Sequence, residues 1–193
     1  MSANPPADPP SVPADCPWPI VLGIDPGTRV LGYGAVVDVR GDLRLLAAGA
    51  LRPEGEELPA RLADLRRELD DLLVRLRPGV VVVETGFTAA NAQSALRLGE
   101  GRGVVLSCAA ATGAEVVQYA PSVAKKTLVG NGRADKEQVA RMVATILGLE
   151  EPPRPLDVTD ALSLALAHLH RGRTLGPLQH RSSRSRLSSR AQR

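Results

Sequence analysis

The sequence predicts an α/β fold, a five-stranded mixed sheet flanked by helices, and three observations carry that expectation. Residues 20–51 are strand-like runs divided by turn residues, without a helical period. The run Val80-Val81-Val82-Val83-Glu84 is apolar until its last residue, as a strand buried on both faces must be. Leucines at 58, 62, 65, 69, 72 and 76 recur at spacings of three and four, the stripe of an amphipathic helix.

In chain order, strands are expected at Ile20–Asp25, Val30–Asp38 and Leu43–Leu51, divided by the turns Pro26-Gly27-Thr28 and Arg40-Gly41-Asp42. They form an antiparallel meander. The leucine helix ends at Pro78-Gly79, and the valine strand follows. Asn91–Ala111 reads as a helix whose small residues let another backbone approach, although Gly99, Gly101 and Gly103 weaken it. Glu115–Tyr119 is the fifth strand, Pro121 opens a short helix, and Gly130-Asn131-Gly132 is a turn. Asp135–Leu147 is a helix with Val139, Met142, Val143 and Ile146 inward. Pro152-Pro153-Arg154-Pro155 forces an extended crossing into the last helix, Asp157–His170. Three strands, helix, strand, helix, strand and then helices is the order of the ribonuclease-H-like fold.

The chain has 193 residues, 44% of them hydrophobic, enough for a single packed core with tails. The longest apolar run, near Val104–Ala111, is far short of the roughly 20 residues a bilayer span needs, so no membrane association is expected. Residues 1–19 hold seven prolines and no Lys or Arg, which does not describe a secretory signal. Two cysteines, Cys16 and Cys108, build no disulfide framework, and a cytoplasmic location is expected. The net charge of +3 hides an asymmetry: residues 1–170 carry 17 basic against 21 acidic residues, and seven arginines with no acid follow His170. The expected organisation is a disordered Pro-rich extension (1–19), a folded domain (20–172) and a disordered Arg/Ser tail (173–193) that adheres to polyanions.

Only three lysines stand against 21 arginines, and Lys125, Lys126 and Lys136 all fall within twelve residues. Such a cluster of compact point charges marks a place where an ammonium meets phosphate, or arises by chance. The acids are more telling. Asp25 ends the first strand, Glu84 ends the valine run, and Asp157 and Asp160 lie one turn apart on the last helix. Singly, each has a structural explanation: Asp25 opens a Pro-Gly turn, Glu84 reaches for water, Asp157 caps the helix and Asp160 sits in its favourable first turn. In a ribonuclease-H-like sheet, however, strands one and four are neighbours and the last helix crosses their ends, so all four carboxylates converge. At ~4 Å and an effective dielectric near 20, each like-charge pair costs about 4 kcal/mol, so the cluster needs cations or protons. Oxygen-only ligands favour hard cations, Mg²⁺ or Mn²⁺. Two ions about 4 Å apart suit in-line attack of water on a phosphodiester. No Cys/His zinc spacing, Gly-x-Ser-x-Gly elbow or Walker loop competes with them. His168 and His170 read as surface or partner residues.

Five stretches in order carry a resemblance: residues 22–34 (LGIDPGTRVLGYG), 84–87 (ETGF), 91–103 (NAQSALRLGEGRG), Tyr119-Ala-Pro with Lys125 and 129–136 (VGNGRADK), and 157–162 (DVTDAL). Over roughly residues 20–170 the chain resembles the RuvC family of Holliday-junction resolvases. The resemblance implies a homodimeric, Mg²⁺-dependent endonuclease that nicks two opposed strands of a four-way DNA junction, with two ions per active site and RuvA and RuvB as partners. It implies that Asp25, Glu84, Asp157 and Asp160 bind metal and catalyse, Asp157 standing where the family has His or Asp. It also implies that Lys125 and Lys136 contact DNA near the cut and that Phe87 stacks on an unpaired base. Composition agrees on the last point: the only Phe of the chain lies in a polar loop three residues after Glu84, where base stacking is worth about 1–3 kcal/mol. A loop residue folded back onto the sheet is the alternative. Ala90 departs from the family, which commonly has a basic residue there, and the cleavage consensus is expected to be altered or relaxed. Two other classes compete: a junction-binding protein without catalysis, and an actin-like nucleotide-binding protein suggested by Asp25-Pro-Gly-Thr28.

Overall fold

In the computed structural model of the chain, which describes residues 18–85 and 91–174, the meander forms as β1 (Ile20–Asp25), β2 (Leu31–Val39) and β3 (Asp42–Leu51). The β2–β3 turn closes where Arg40 and Gly41 adopt φ of 54° and 99°, and the Gly41 N–H donates to the Asp38 carboxylate at 2.7 Å. β4 (Val80–Glu84) lies parallel to β1, and β5 (Glu115–Tyr119) parallel to β4, giving the order β3-β2-β1-β4-β5. This is the expected five-stranded mixed sheet.

Five helices complete the described residues: α1 (Leu58–Leu76), α2 (Ala92–Ala111), α3 (Pro121–Val129), α4 (Lys136–Leu147) and α5 (Leu156–Thr174). The sheet divides two cores, and the strands show which side chain serves each. Val81 and Val83 face α1 and α2 with Leu22 and Ile24, while Val82 faces the other way with Val21 and Val36, so β4 is buried on both faces. The leucine stripe is the first core's lid, with Leu65, Leu69, Leu72, Leu73 and Leu76 all buried. α2 survives its three glycines because it is held at the start and in its second half. Its N-cap Asn91 accepts the Ser94 N–H at 2.9 Å, and Val105, Cys108 and Ala109 are buried.

α5 is the centre of the second core, packed on the sheet and covered by α3 and α4. It is buried around most of its circumference through Val158, Ala161, Leu162, Leu164, Ala165, Leu166 and Ala167. The helix starts one residue earlier than the sequence predicts and runs to Thr174, past the expected domain end at 172. The Val158 N–H donates to the Pro155 carbonyl at 3.0 Å, closing the first turn around Leu156, so Asp157 lies inside that turn and is not its cap. The expected extension and basic tail fall largely outside the described residues, at 1–17 and 175–193.

Glycines set how closely α5 approaches. A Cβ on Gly23 of β1 would collide with the Ala161 carbonyl, and one on Gly32 of β2 with the Asp157 carbonyl. Helix backbone therefore rests directly on sheet backbone. Gly32→Ala is expected to destabilise the fold by about 1–3 kcal/mol, the usual cost of forcing a methyl into a filled space, read as a lower urea midpoint. An unchanged midpoint would mean that α5 can recede freely and does not depend on this contact.

Candidate active site

Two strand ends and one helix start build the site. The parallel register sets Ile24 beside Val83, so Asp25 and Glu84 are the last residues of neighbouring strands. Gly32 pairs with Asp25 across β2, and the Asp157 backbone lies over Gly32, which brings the first turn of α5 across the same end of the sheet. The Ser163 hydroxyl donates to the Asp160 carbonyl at 2.7 Å, and the Thr159 hydroxyl to the Pro153 carbonyl at 2.9 Å, fixing the turn from both sides.

The electrostatics tie these acids into one unit. Burial pushes the Asp25 carboxyl up to about 7, and the negative charges of Glu84, Asp160 and Asp157 push in the same direction, against Lys136. Glu84 is raised too, by burial and then by Asp160, while Lys136 and Lys125 oppose the rise. Both lysines singled out in the sequence thus face the acids, whereas Lys126 is exposed.

Each lysine is held in place. Lys136 opens α4 behind the N-cap Asp135, whose capping box with Gln138 satisfies both partners. Its ammonium donates to Asp160 Oδ2 at 2.6 Å, and its own side chain is 56% exposed against 18% for Asp160, so the charge reaches inward from solvent. Lys125 Nζ donates to the Ala134 carbonyl at 2.8 Å, tying α3 to the segment before α4.

As these side chains stand, among the described residues no three His, Cys, Asp or Glu are arranged around one ion. Asp160 is engaged by the Lys136 ammonium instead. The donor set nonetheless fits a hard divalent cation. It offers only carboxylate oxygen, and the negative charges of Glu84, Asp160 and Asp157 add to the burial that raises Asp25. Ligation by Asp160 requires it to exchange an ammonium for an ion.

Two expectations are changed or left aside. His168 is half-buried, and its Nδ1 lies 3.1 Å from the Tyr119 hydroxyl at the end of β5. Phe87 and Ala90 lie outside the described residues. Two features that the sequence pattern did not single out are also present. One is the glycine contact with α5. The other is Arg102 of α2, whose Nε donates to the Glu84 carbonyl at 3.1 Å and which also donates to the Gln118 side chain. Two residues after Glu100, it is the last charge before Glu115, and the residues between are small or apolar.

Residues 21–168 match the family model described as crossover junction endodeoxyribonuclease RuvC. The chain belongs to the RuvC family. Crossover junction endodeoxyribonuclease RuvC of Nitratidesulfovibrio vulgaris is 47% identical over 153 residues, 79% of this chain and 92% of the relative. Thermus thermophilus RuvC superposes with a TM-score of 0.73 at 38% identity, covering 80% of this chain and 96% of that one. The same T. thermophilus protein in complex with a Holliday junction substrate gives a TM-score of 0.72 at 35% identity and equal coverage. The RuvC match spans both strand ends and the start of α5 that build the acid cluster.

Asp25 makes the cluster visible in a melting curve. In the metal-free protein its folded value of about 7 exceeds the ordinary 3.8, so between these values the folded state holds a proton that the unfolded state has lost. Stability contributed by that proton is full at low pH and is lost as pH rises through the window toward 7. Asp25→Asn is therefore expected to melt above wild type near pH 8 in the presence of a chelator, and to match it near pH 4. An equal difference at both pH values would contradict the raised Asp25 carboxyl.

Proposed function

We propose that the chain is a structure-selective endonuclease that resolves four-way DNA junctions by metal-dependent nicking in recombination and DNA repair. The observation that carries this is the joining of four carboxylates from β1, β4 and α5 into one electrostatic unit faced by two lysines, within a chain of the RuvC family. Both crossover junction endodeoxyribonuclease relatives and a T. thermophilus RuvC bound to a Holliday junction support DNA junctions as the substrate.

Asp25, Glu84, Asp157 and Asp160 are the residues that hold the metal, two Mg²⁺ ions by preference with Mn²⁺ as a substitute. When bound there, such ions activate the attacking water and stabilise the leaving 3′-oxygen. The protein's own work is to keep the carboxylates together against their repulsion and to bring the scissile phosphate to them. Lys136 and Lys125 serve the second task as compact positive charges beside the cluster, and Phe87 stacks on a base unpaired at the junction. The arginines that follow His170 add sequence-independent attraction for the phosphate backbone.

Two equivalent nicks on opposed strands need two active sites related by a two-fold axis, so the working form is a homodimer. α2 is the contact surface: Leu96 is 63% exposed, and nothing within 4 Å would meet a side chain at Gly99 or Gly103. RuvA and RuvB are the partners that deliver the junction, and the enzyme acts in the cytoplasm. No described helix is long and apolar enough to cross a membrane. Two related domains closing over a nucleotide, which an actin-like protein requires, are not present among the described residues, which form one sheet.

Incubating a labelled four-way junction and a matched duplex with the protein, with and without Mg²⁺, tests the assignment. Wild type is expected to nick the junction only with metal and to leave the duplex intact. Glu84→Gln and Asp160→Asn are each expected to lose at least about 100-fold in rate while metal-free junction affinity stays equal or rises, since each removes a negative charge facing phosphate. Cleavage without metal, or either variant cutting at the wild-type rate, would overturn the assignment.

A further inference from the structure

Glu84 is the last residue of β4, and the ladder to β5 ends just beyond it, where the Thr85 N–H donates to the Tyr119 carbonyl at 2.9 Å. The direction of the Glu84 carboxylate depends on how the backbone is held at this exit. Arg102 reaches it from eighteen positions along the chain, donating from Nε to the Glu84 carbonyl at 3.1 Å. A second arm of the same guanidinium donates to the Gln118 side chain on β5. A planar fork with donors at fixed angles can hold a strand-end carbonyl and a neighbouring side chain at once, which a flexible ammonium cannot.

Arg102 meets Glu84 through this backbone contact. The positive charges of Lys136 and Lys125 lower the Glu84 carboxyl. The preceding residue braces the other strand end: Gly101 is buried, and a Cβ there would lie 2.8 Å from the Thr28 methyl in the turn that follows Asp25. Consecutive residues of α2 therefore abut the exits of both acid-bearing strands.

We propose that Arg102 is a positioning residue, aiming the Glu84 carboxylate by holding the Glu84 carbonyl against β5, and that Gly101 seats the same helix against the Asp25 turn. The proposal rests on the assignment of Glu84 to the metal site. A misplacement of about 1 Å in a catalytic constellation is enough to cost roughly 100-fold in rate, so a small backbone shift at residue 84 is consequential.

The test compares wild type, Arg102→Ala, Arg102→Lys and Glu84→Gln in three measurements: Mn²⁺ affinity of the DNA-free protein by calorimetry, junction affinity without metal, and the single-turnover rate of cleavage at saturating Mg²⁺. Arg102→Ala is expected to weaken Mn²⁺ binding several-fold and slow cleavage at least about tenfold while metal-free junction affinity is retained. Arg102→Lys, which keeps the charge but not the fork, is expected to fall between the two. Wild-type Mn²⁺ affinity in Arg102→Ala, or in Arg102→Lys, overturns the proposal, and the lysine variant decides alone if the alanine variant does not fold. Glu84→Gln separates the two levels. If it cleaves like wild type, the metal-site assignment fails and the proposal with it. If it is inactive while Arg102→Ala is unimpaired, the assignment stands and only the brace fails.

Discussion

The whole site depends on the backbone of α5 lying directly on the backbones of β1 and β2. That contact exists because Gly23 and Gly32 carry no side chain toward the helix, and because the helix is apolar on nearly every face. A helix that packs on a sheet through larger side chains stands off at about 10 Å. Here the first turn of α5 comes down onto the end of β1, and Asp157 and Asp160 arrive beside Asp25 and Glu84. Packing in the second core thus sets the distance between charges at the sheet edge, and apolar burial offsets the cost of holding like charges together.

That cost explains the surroundings of the acids. A carboxyl in such surroundings either keeps its proton or is compensated: Asp25, raised by burial and then by its acidic neighbours, shows the first response, and Lys136 on Asp160 the second. The two lysines come from the start of α4 and from α3, the elements that cover α5. Compensation by an ammonium is reversible, since Lys136 is half-exposed and its chain is flexible. In the proposed enzyme the same charge is free to turn from Asp160 to a phosphate when a cation replaces it at the carboxylate.

Much of this was legible in the sequence, for identifiable reasons. Turn residues bounded the meander, the valine run marked a strand buried on both faces, and the leucine period marked α1. The acids were ambiguous one at a time, since Asp25 before Pro-Gly and Asp157 after a proline run each have ordinary local explanations. They became a cluster only through the adjacency of β1 and β4, which is a property of topology and not of any short segment. The start of α5 was displaced by one residue because a carbonyl of Pro155 closes its first turn, and side-chain capping preferences do not register backbone closure. The glycine contacts were hidden for a related reason: a periodic pattern tells which face a glycine occupies but not which helix comes down on it. Arg102 spans eighteen positions to reach Glu84, beyond any local pattern.

The central claim is that Asp25 holds a proton beside the other three acids, and that in the proposed enzyme a divalent cation displaces it. Calorimetric titration of Mn²⁺ into the metal-free protein near pH 6.5, repeated in buffers of different ionisation enthalpy, reads this directly through the protons released on binding. Because Asp25 titrates at about 7, metal uptake is expected to release a substantial fraction of a proton near pH 6.5 and almost none near pH 8.5. Binding without proton release at the lower pH would show Asp25 already ionised and would contradict the account.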